Sequence, residues 1–195
     1  MSRSLALSLV VLSIPTLALA QDGETYFPLE AGRTWPYRME GSKDEVVWKV
    51  GEKRQIVIDP VAGGGNPMAW VIEGDLAGTI FVVEKERGVV LAMERRIGFA
   101  ATPAIVPVAE FRWEDESWEF QTADGCILHA VSCSRKGTES VTVPAGEFEC
   151  LRLEIGDVAT YWLARGVGVV RRSDRSTGAE VVLALAEARD APGRR

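Results

Sequence analysis

"GDVATYWLARGVGVV", residues 156–170, decides how the fold is interpreted, because it carries two glycines one residue apart beside an aromatic pair. A phosphate-binding loop would place such glycines at the start of a helix, with a lysine or an acidic ribose partner nearby. This stretch opens no helix and lacks the third glycine of the dinucleotide fingerprint. We interpret it as a β-hairpin in which Gly166 takes a positive φ in the turn. Gly168 then permits a bulge or the close approach of a bulky neighbour.

The same hairpin pattern extends along the chain in both directions. Short runs rich in Val, Ile, Thr and aromatic residues alternate with connections that contain Gly, Pro or Asp. Connections this short favour antiparallel pairing, because a parallel crossover needs about a dozen residues or more. The predicted strands are 44–50, 54–59, 68–74, 78–85, 88–95, 116–122, 126–133, 138–143, 148–155, 159–164, 168–172 and 179–188. A helix is the alternative for residues 88–97 and 179–190, where some apolar residues are spaced by three and four.

The predicted sheet is apolar on both faces in places. The run "TIFVVE" (79–84) has apolar residues at both alternating positions, as does "VVW" (46–48). A sheet of this kind is either sandwiched or folded around a cavity. We therefore predict an all-β fold built on an extended, curved antiparallel sheet, either a half-barrel or a sandwich.

The two halves of the chain echo each other at offsets of about 80 to 84 residues. Matching pairs, in the same order, are "TWPY" (34–37) with "SWEF" (117–120), "PVAG" (60–63) with "PAG" (144–146), "GDLAGTIFVV" (74–83) with "GDVATYWLA" (156–164), and "RGVV" (87–90) with "GVGVV" (166–170). Either the chain is an internal duplication of a six-stranded meander, or hairpins have produced the matches by chance. A duplication predicts that the matched residues open equivalent strands.

The N-terminus has the features of a secretory signal peptide. Arg3 precedes an apolar run that Pro15 interrupts, and Ala18-Leu19-Ala20 fits the small-x-small cleavage pattern. The alternative is a buried N-terminal helix. We expect residues 1–20 to be removed and residues 21–195 to form a single antiparallel β domain, with no transmembrane segment after cleavage.

Composition argues against several classes of function. The net charge is −6, and no Lys/Arg cluster offers a surface for nucleic acid. A single histidine, His129, makes a histidine-based metal site improbable. The acidic stretch "WEDESWE" (113–119) is interpreted as a solvated turn, with a metal site as the weaker alternative. We find no G-x-S-x-G or H-E-x-x-H motif, and expect no enzymatic activity and no cofactor.

The chain has three cysteines, Cys126, Cys133 and Cys150. An exported chain meets oxidising conditions, which allow one disulfide and leave one thiol over. Cys126 and Cys133 lie at opposite ends of one predicted strand, roughly 23 Å apart, whereas a disulfide needs Cα atoms within about 7 Å. Any disulfide must therefore include Cys150, and Cys133 is nearer to it in hairpin order than Cys126 is. We predict that Cys133 pairs with Cys150. The alternative is three buried, reduced thiols.

Six tryptophans are spread along the chain. Trp48, Trp70 and Trp162 lie on predicted strands beside apolar residues, and are candidates for an apolar or glycan-binding face on a curved sheet. The alternative is that they pack in the core and at its margins.

The chain resembles a group of exported bacterial proteins of unknown function, sometimes labelled TapB-like. The resemblance rests on "YFPLEAGRTWPYRM" (26–39), "TPAIVPVAEFRWEDESWEF" (102–120), "VTVPAGEFECLRLEI" (141–155) and "TYWLARGVGVVRR" (160–172). It implies an extended antiparallel sheet, curved like the half-barrels of bacterial lipoprotein carriers. The group's motifs carry no known chemistry, so no catalytic residue is transferred.

These features together predict an exported, periplasmic or secreted, non-enzymatic protein of the cell envelope. The leading expectation is a binding or carrier module for an apolar ligand or a segment of an envelope protein partner. The alternative is a structural or interaction domain with a filled core and no ligand.

Overall fold

The computed structural model describes residues 25–43, 45–60, 64–75, 78–95, 103–124, 127–175 and 181–186. The predicted signal peptide and Cys126 lie outside these ranges. Within them the chain forms twelve β-strands and no α-helix, which confirms the predicted all-β class. The strands are β1 (Thr34–Met39), β2 (Glu45–Gln55), β3 (Met68–Asp75), β4 (Gly78–Lys85), β5 (Gly88–Arg95), β6 (Ala104–Arg112), β7 (Ser117–Asp124), β8 (Ile127–Val143), β9 (Gly146–Ile155), β10 (Ala159–Ala164), β11 (Gly168–Asp174) and β12 (Val181–Leu185).

The strands form one antiparallel sheet that nearly closes into a barrel. Its order is β6-β5-β4-β3-β2-β1-β12-β11-β10-β9-β8-β7, so β1 pairs with β12. The two end strands, β6 and β7, face each other across a seam. There the Trp118 indole N–H donates to the Glu110 carbonyl at 3.0 Å, and the Thr122 hydroxyl donates to the Pro107 carbonyl at 2.5 Å. Side chains therefore join the seam where no backbone ladder does.

Two predicted turns are bulges inside long strands. The segments 44–50 and 54–59 were expected to be separate strands, but β2 runs through 50–53 with a shift in its register against β3. In the same way β8 runs through 135–138 with a shift in its register against β9. An extra residue can be absorbed by a bulge without ending the strand, so the glycines at these places do not mark turns.

Two strands, β1 and β6, were not among those predicted. Each contains a proline, Pro36 in β1 and Pro107 in β6. Proline is tolerated at an edge strand or a bulge, where its missing N–H is not needed. Pro107 satisfies both conditions, because β6 is an end strand and its pairing with β5 shifts between Leu91 and Ala92.

The interior of the barrel is filled by large side chains from both halves of the chain. Trp48 and Tyr37 are 1% exposed, and Phe111, Leu153 and Leu163 are completely buried. A side chain with no accessible surface cannot line a space that admits water. The barrel is therefore packed at these positions in the manner of an ordinary protein core.

A second apolar cluster explains why β4 and β5 are apolar on both faces. Phe81, Val83 and Val90 turn away from the barrel interior and pack with Ile56 and Ile58, which follow β2. This segment ends in a hydrogen bond from the Asp59 N–H to the Ile105 carbonyl at 3.0 Å. The segment after β2 thus covers only this part of the outer surface. Elsewhere the strands alternate between buried and exposed side chains, as in a sheet with one face in solvent.

The strand order agrees with the sequence repeat. Trp35 and Trp118 are each the second residue of the first strand in their half, β1 and β7. Thr79 is the second residue of β4, and Thr160 is the second residue of β10. The glycines matched in the repeat open β5 and β11. Each half of the barrel is therefore a six-stranded meander.

The hairpin quoted first has the predicted geometry. Gly166 has φ +69° in the turn between β10 and β11. A Cβ on Gly168 would lie 3.0 Å from the indole nitrogen of Trp35, and the pairing of β10 with β11 shifts between Trp162 and Leu163. Both predicted roles, the positive φ and the close approach beside a bulge, are confirmed.

Candidate functional site

The predicted disulfide partners lie far apart in the sheet. Cys133 is opposite Ile155, whereas Cys150 is opposite Glu139 and lies five residues from Ile155 along β9. That separation is roughly 16 Å along the strand, well beyond the 7 Å or so that a disulfide allows. Both thiols are free and buried. The register therefore places them too far apart for the predicted Cys133–Cys150 bridge.

Burial also makes these two thiols poor nucleophiles. It raises the pKa of Cys133 to about 12 and that of Cys150 to about 11. The thiolate is the reactive form of cysteine, so neither sulfur is prepared for catalysis in this fold.

The three predicted apolar-face tryptophans do not share a surface. Trp48 is inside the core and presents no surface to a ligand. Trp70 is half-buried, with the Lys53 ammonium 4.9 Å from the ring centroid and its indole N–H donating to Glu84 at 3.1 Å. The hydrogen bond from Lys53 is also the main reason that the pKa of Glu84 is lowered.

Trp162 is enclosed by charged groups on the outer surface. Arg152 on β9 and Arg171 on β11 are its partners in the neighbouring strands, and their guanidinium carbons lie 5.8 and 5.3 Å from its ring centroid. Its indole N–H donates to Glu139 at 2.5 Å. Arg171 is in turn paired with Glu40 at 3.1 Å. The ring is part of an ion-paired cluster, and leaves no open apolar face for a ligand.

The acidic residues before β7 are also held in ion pairs. The Arg112 guanidinium lies 2.9 Å from Glu110 and 3.1 Å from Asp115. The hydrogen bond to Asp115, and next the one to Glu110, raise the pKa of Arg112. Arg87 lies 3.7 Å from Glu114. In the described part of the chain, no three His, Cys, Asp or Glu side chains are grouped as a metal ion would require. Nor do the described residues include a helix long and apolar enough to cross a membrane.

The candidate site that the structure offers, an open edge of the sheet, was not predicted from the sequence. β9 ends at Ile155, opposite Cys133, so it covers β8 only from Cys133 onward. β7 pairs with β8 as far as Ile127. Residues 127–132, which we call the β8 edge, therefore have a strand partner on one side only, as far as the described strands go.

The backbone N–H and C=O groups of the β8 edge point alternately to its open side and to β7. The Ser132 carbonyl accepts a hydrogen bond from the Gly156 N–H at 2.8 Å, on the side where β9 has ended. Successive residues of a strand point their N–H and C=O groups to opposite sides. Leu128 and Ala130 therefore point to the open side, and His129 and Val131 point to β7.

The surface of the β8 edge is largely apolar and contains no Lys, Arg, Asp or Glu. Ile127 is 64% exposed and Leu128 47%, and Val158, in the turn that follows β9, is 40% exposed. The segment reads "ILHAVS" (127–132), whereas the covered continuation "RKGTES" (135–140) carries charges of both signs. Exposed edges are usually protected by charge, proline or a cover. This edge has none of these among its own residues.

An open groove of about 790 Å³ runs along the β8 edge. Its walls are residues 129–134 of β8 and the turn Gly156, Asp157 and Val158, with Ser117 at one end. Asp157 is the one carboxylate among these lining residues. The groove offers backbone hydrogen-bonding groups between apolar walls, which is what an extended peptide segment requires.

Comparisons with known proteins place the chain beside two solved structures. One is a "putative lipoprotein" from Parabacteroides distasonis ATCC 8503, at 16% identity and a TM-score of 0.40, covering 86% of this chain and 99% of the other. The second is a "putative exported protein with YmcC-like fold" from Bacteroides fragilis NCTC 9343, at 12% identity and a TM-score of 0.44, covering 84% and 98%. Nothing about the activity of this chain follows from likenesses at this level.

No family model matches the chain, and no curated protein matches it. Membership of the TapB-like group therefore stays a prediction.

Proposed function

We propose that the chain is an exported, non-enzymatic interaction module that takes up an extended partner segment as an added strand at the β8 edge. The observation that carries this proposal is the edge formed by "ILHAVS" (127–132), which no described strand covers and which contains no Lys, Arg, Asp or Glu. Export follows from the signal peptide predicted over residues 1–20. The resemblance to the TapB-like group would place the module in a bacterial envelope, most simply in the periplasm.

Strand addition suits the energetics of this edge. A partner strand would supply hydrogen bonds on the open side of Leu128 and Ala130, where the described strands supply none, each contributing about 0.5–1.5 kcal/mol. It would also cover Ile127, Leu128 and Val158, which now expose apolar surface. Backbone bonds provide affinity in this mode, and alternate side chains provide specificity.

A carrier that holds an apolar ligand inside the barrel has less support. The interior is filled by Trp48, Tyr37 and Phe111, which are 0–1% exposed. A ligand there would have to displace close-packed side chains, and filling a well-packed core beyond its volume is unfavourable. The partner segment is thus the better-supported half of the original expectation.

The second candidate is a structural domain with no partner at the β8 edge. The filled core is compatible with both candidates, because packing in the core does not depend on a partner at the edge. The two candidates differ in what the open side of Leu128 meets in the cell.

Site-specific photo-crosslinking in the native envelope tests the proposal. p-Benzoylphenylalanine at Leu128 should give a discrete adduct on irradiation. The same group at Val47, which is 48% exposed against 47% for Leu128, is the matched control and should give none. Introducing Ala130→Pro should abolish the Leu128 adduct, because proline removes the edge-facing N–H. Absence of any adduct at Leu128, or an adduct unchanged by Ala130→Pro, would favour the structural domain.

A further inference from the structure

We propose that the segment taken up at the β8 edge is the same edge of a second copy, paired antiparallel about a twofold axis at His129. The inference rests on the proposed function and names its partner. In such an isologous contact one patch serves on both chains, so the patch must be complementary to itself.

The backbone of the edge meets this requirement. The open stretch 127–131 is centred on His129, with Leu128 and Ala130 on either side pointing to the open edge. An antiparallel copy rotated about His129 places Leu128 opposite Ala130 of the second copy, and Ala130 opposite its Leu128. Each such pair exchanges two bonds, which gives about four hydrogen bonds between the chains.

The side chains are complementary in the same register. Opposite residues of an antiparallel pair share a face of the sheet. Ile127 would therefore meet Val131 of the second copy on one face, and Leu128 would meet its Ala130 on the other. Every opposed pair within the stretch is apolar except His129 with its own counterpart. No carboxylate or ammonium is opposed by a like charge, whereas self-pairing through "RKGTES" (135–140) could not avoid charged side chains.

The turn after β9 fixes this register. The Ser132 carbonyl already accepts the Gly156 N–H, so that residue cannot join a ladder with a new strand through its carbonyl. A register centred on Ala130 would depend on Ser132. The register between these two, shifted by one residue, would oppose residues that point to the open side with residues that point to β7, and would exchange the two faces of the added strand. The register centred on His129 uses each open group between 127 and 131.

The contact should be weak. An added strand over five residues covers less than the roughly 1,600 Å² of a standard interface. We expect a dimer that depends on protein concentration, and a covalent trap is the appropriate test.

Cysteine trapping tests the register directly, with Cys126→Ser present to remove that thiol. Residues at the axis form a non-hydrogen-bonded pair with Cα atoms about 4.5 Å apart, within the range of a disulfide. His129→Cys should therefore give a disulfide-linked dimer under mild oxidation. Ala130→Cys is the control. In this register the Cα atoms of residue 130 in the two copies lie roughly 8 Å apart, which is too far for a disulfide. Both positions are exposed, and equal thermal unfolding of the reduced variants confirms that they fold.

The expected result is at least about tenfold more dimer for His129→Cys than for Ala130→Cys. Ile127→Lys should abolish trapping in the His129→Cys protein, and Val57→Lys, at an equally exposed valine, should leave it unchanged. Equal trapping at both cysteine positions, or none at either, overturns the dimer. If trapping fails while Leu128 crosslinks to a different envelope protein, the proposed function stands and only the second copy is excluded. If neither forms an adduct, both proposals fail.

Discussion

The indole of Trp35 lies directly against Gly168: a Cβ added to that glycine would be 3.0 Å from the indole nitrogen. The same nitrogen donates to the Val167 carbonyl at 2.6 Å. One side chain of β1 is thereby fixed to the turn between β10 and β11, in the other half of the chain. The contact joins β1 to the second meander, and the antiparallel pairing of β1 with β12 joins the two meanders in the same region.

Gly168→Ala should destabilise the protein for two reasons, its φ of +108° and the collision with Trp35. Gly137→Ala is the control, because Gly137 has φ +89° but no atom within 4 Å of an added Cβ. The control should lose about 1–2 kcal/mol of unfolding free energy from backbone strain alone. Gly168→Ala should lose about 1–3 kcal/mol more. Urea denaturation measures both, and equal losses would show that the Trp35 contact is not tight.

Gly88→Ala should be costly although Gly88 has no positive φ. An added Cβ would lie 1.8 Å from the carbonyl oxygen of Phe111, so β5 and β6 would have to separate. We expect a loss of about 2–4 kcal/mol. At Gly51, also without positive φ, the added Cβ would be 3.5 Å from its nearest atom, and Gly51→Ala should change stability by less than about 1 kcal/mol. Similar losses at the two positions would contradict the close approach of β6 to Gly88.

The class of the fold and most of its strands could be predicted because hairpins are local. Turn glycines such as Gly166 and alternating apolar runs record pairing between neighbours in sequence. The two bulges, in β2 and β8, could not be predicted in this way, because a bulge is defined by the partner strand's register. Pro36 and Pro107 concealed β1 and β6, since proline is usually confined to edge strands and bulges. Pro107 follows this rule, whereas Pro36 lies in an inner strand paired on both sides.

The candidate site could not be predicted from local pattern. "ILHAVS" (127–132) looks like any covered strand, and it is an edge only because β9 ends at Ile155. The lack of Lys, Arg, Asp and Glu in residues 127–132 was the one signal available in the sequence, but strands buried on both faces lack these residues too. Trp48, Trp70 and Trp162 were misleading for a related reason, because strand alternation could not tell which of them would turn inward or meet charged neighbours.

The buried thiols should react slowly. With Cys126→Ser present, Cys133 and Cys150 should react with a thiol reagent at pH 8 much more slowly in the folded protein than in urea, because burial raises their pKa to about 12 and about 11. Their raised pKa values contribute stability that is fully present below the unfolded pKa of about 9 and is lost as pH rises through the folded values. Unfolding free energy should therefore fall above about pH 9. Rapid labelling of the folded protein would contradict their burial.

Thr122→Val should loosen the seam between β6 and β7. It removes the hydroxyl that donates to the Pro107 carbonyl while nearly keeping the side-chain shape. The expected loss is about 0.5–1.5 kcal/mol of unfolding free energy, with Thr142→Val, at an exposed position of β8, as the control. Thermal or urea unfolding of the two variants provides the measurement. Equal stability of both variants would mean that this hydrogen bond does not hold the seam.

Amide hydrogen exchange along residues 127–131, resolved by NMR, tests the central claim most directly. If the β8 edge is open, the amides of Leu128 and Ala130 exchange rapidly in dilute protein, while those of His129 and Val131, which point to β7, are protected. Raising the protein concentration, or binding a partner strand, should then slow Leu128 and Ala130 selectively. Leu128 and Ala130 amides as protected as those of His129 and Val131 at the lowest concentration would contradict the account, because the edge would already be covered.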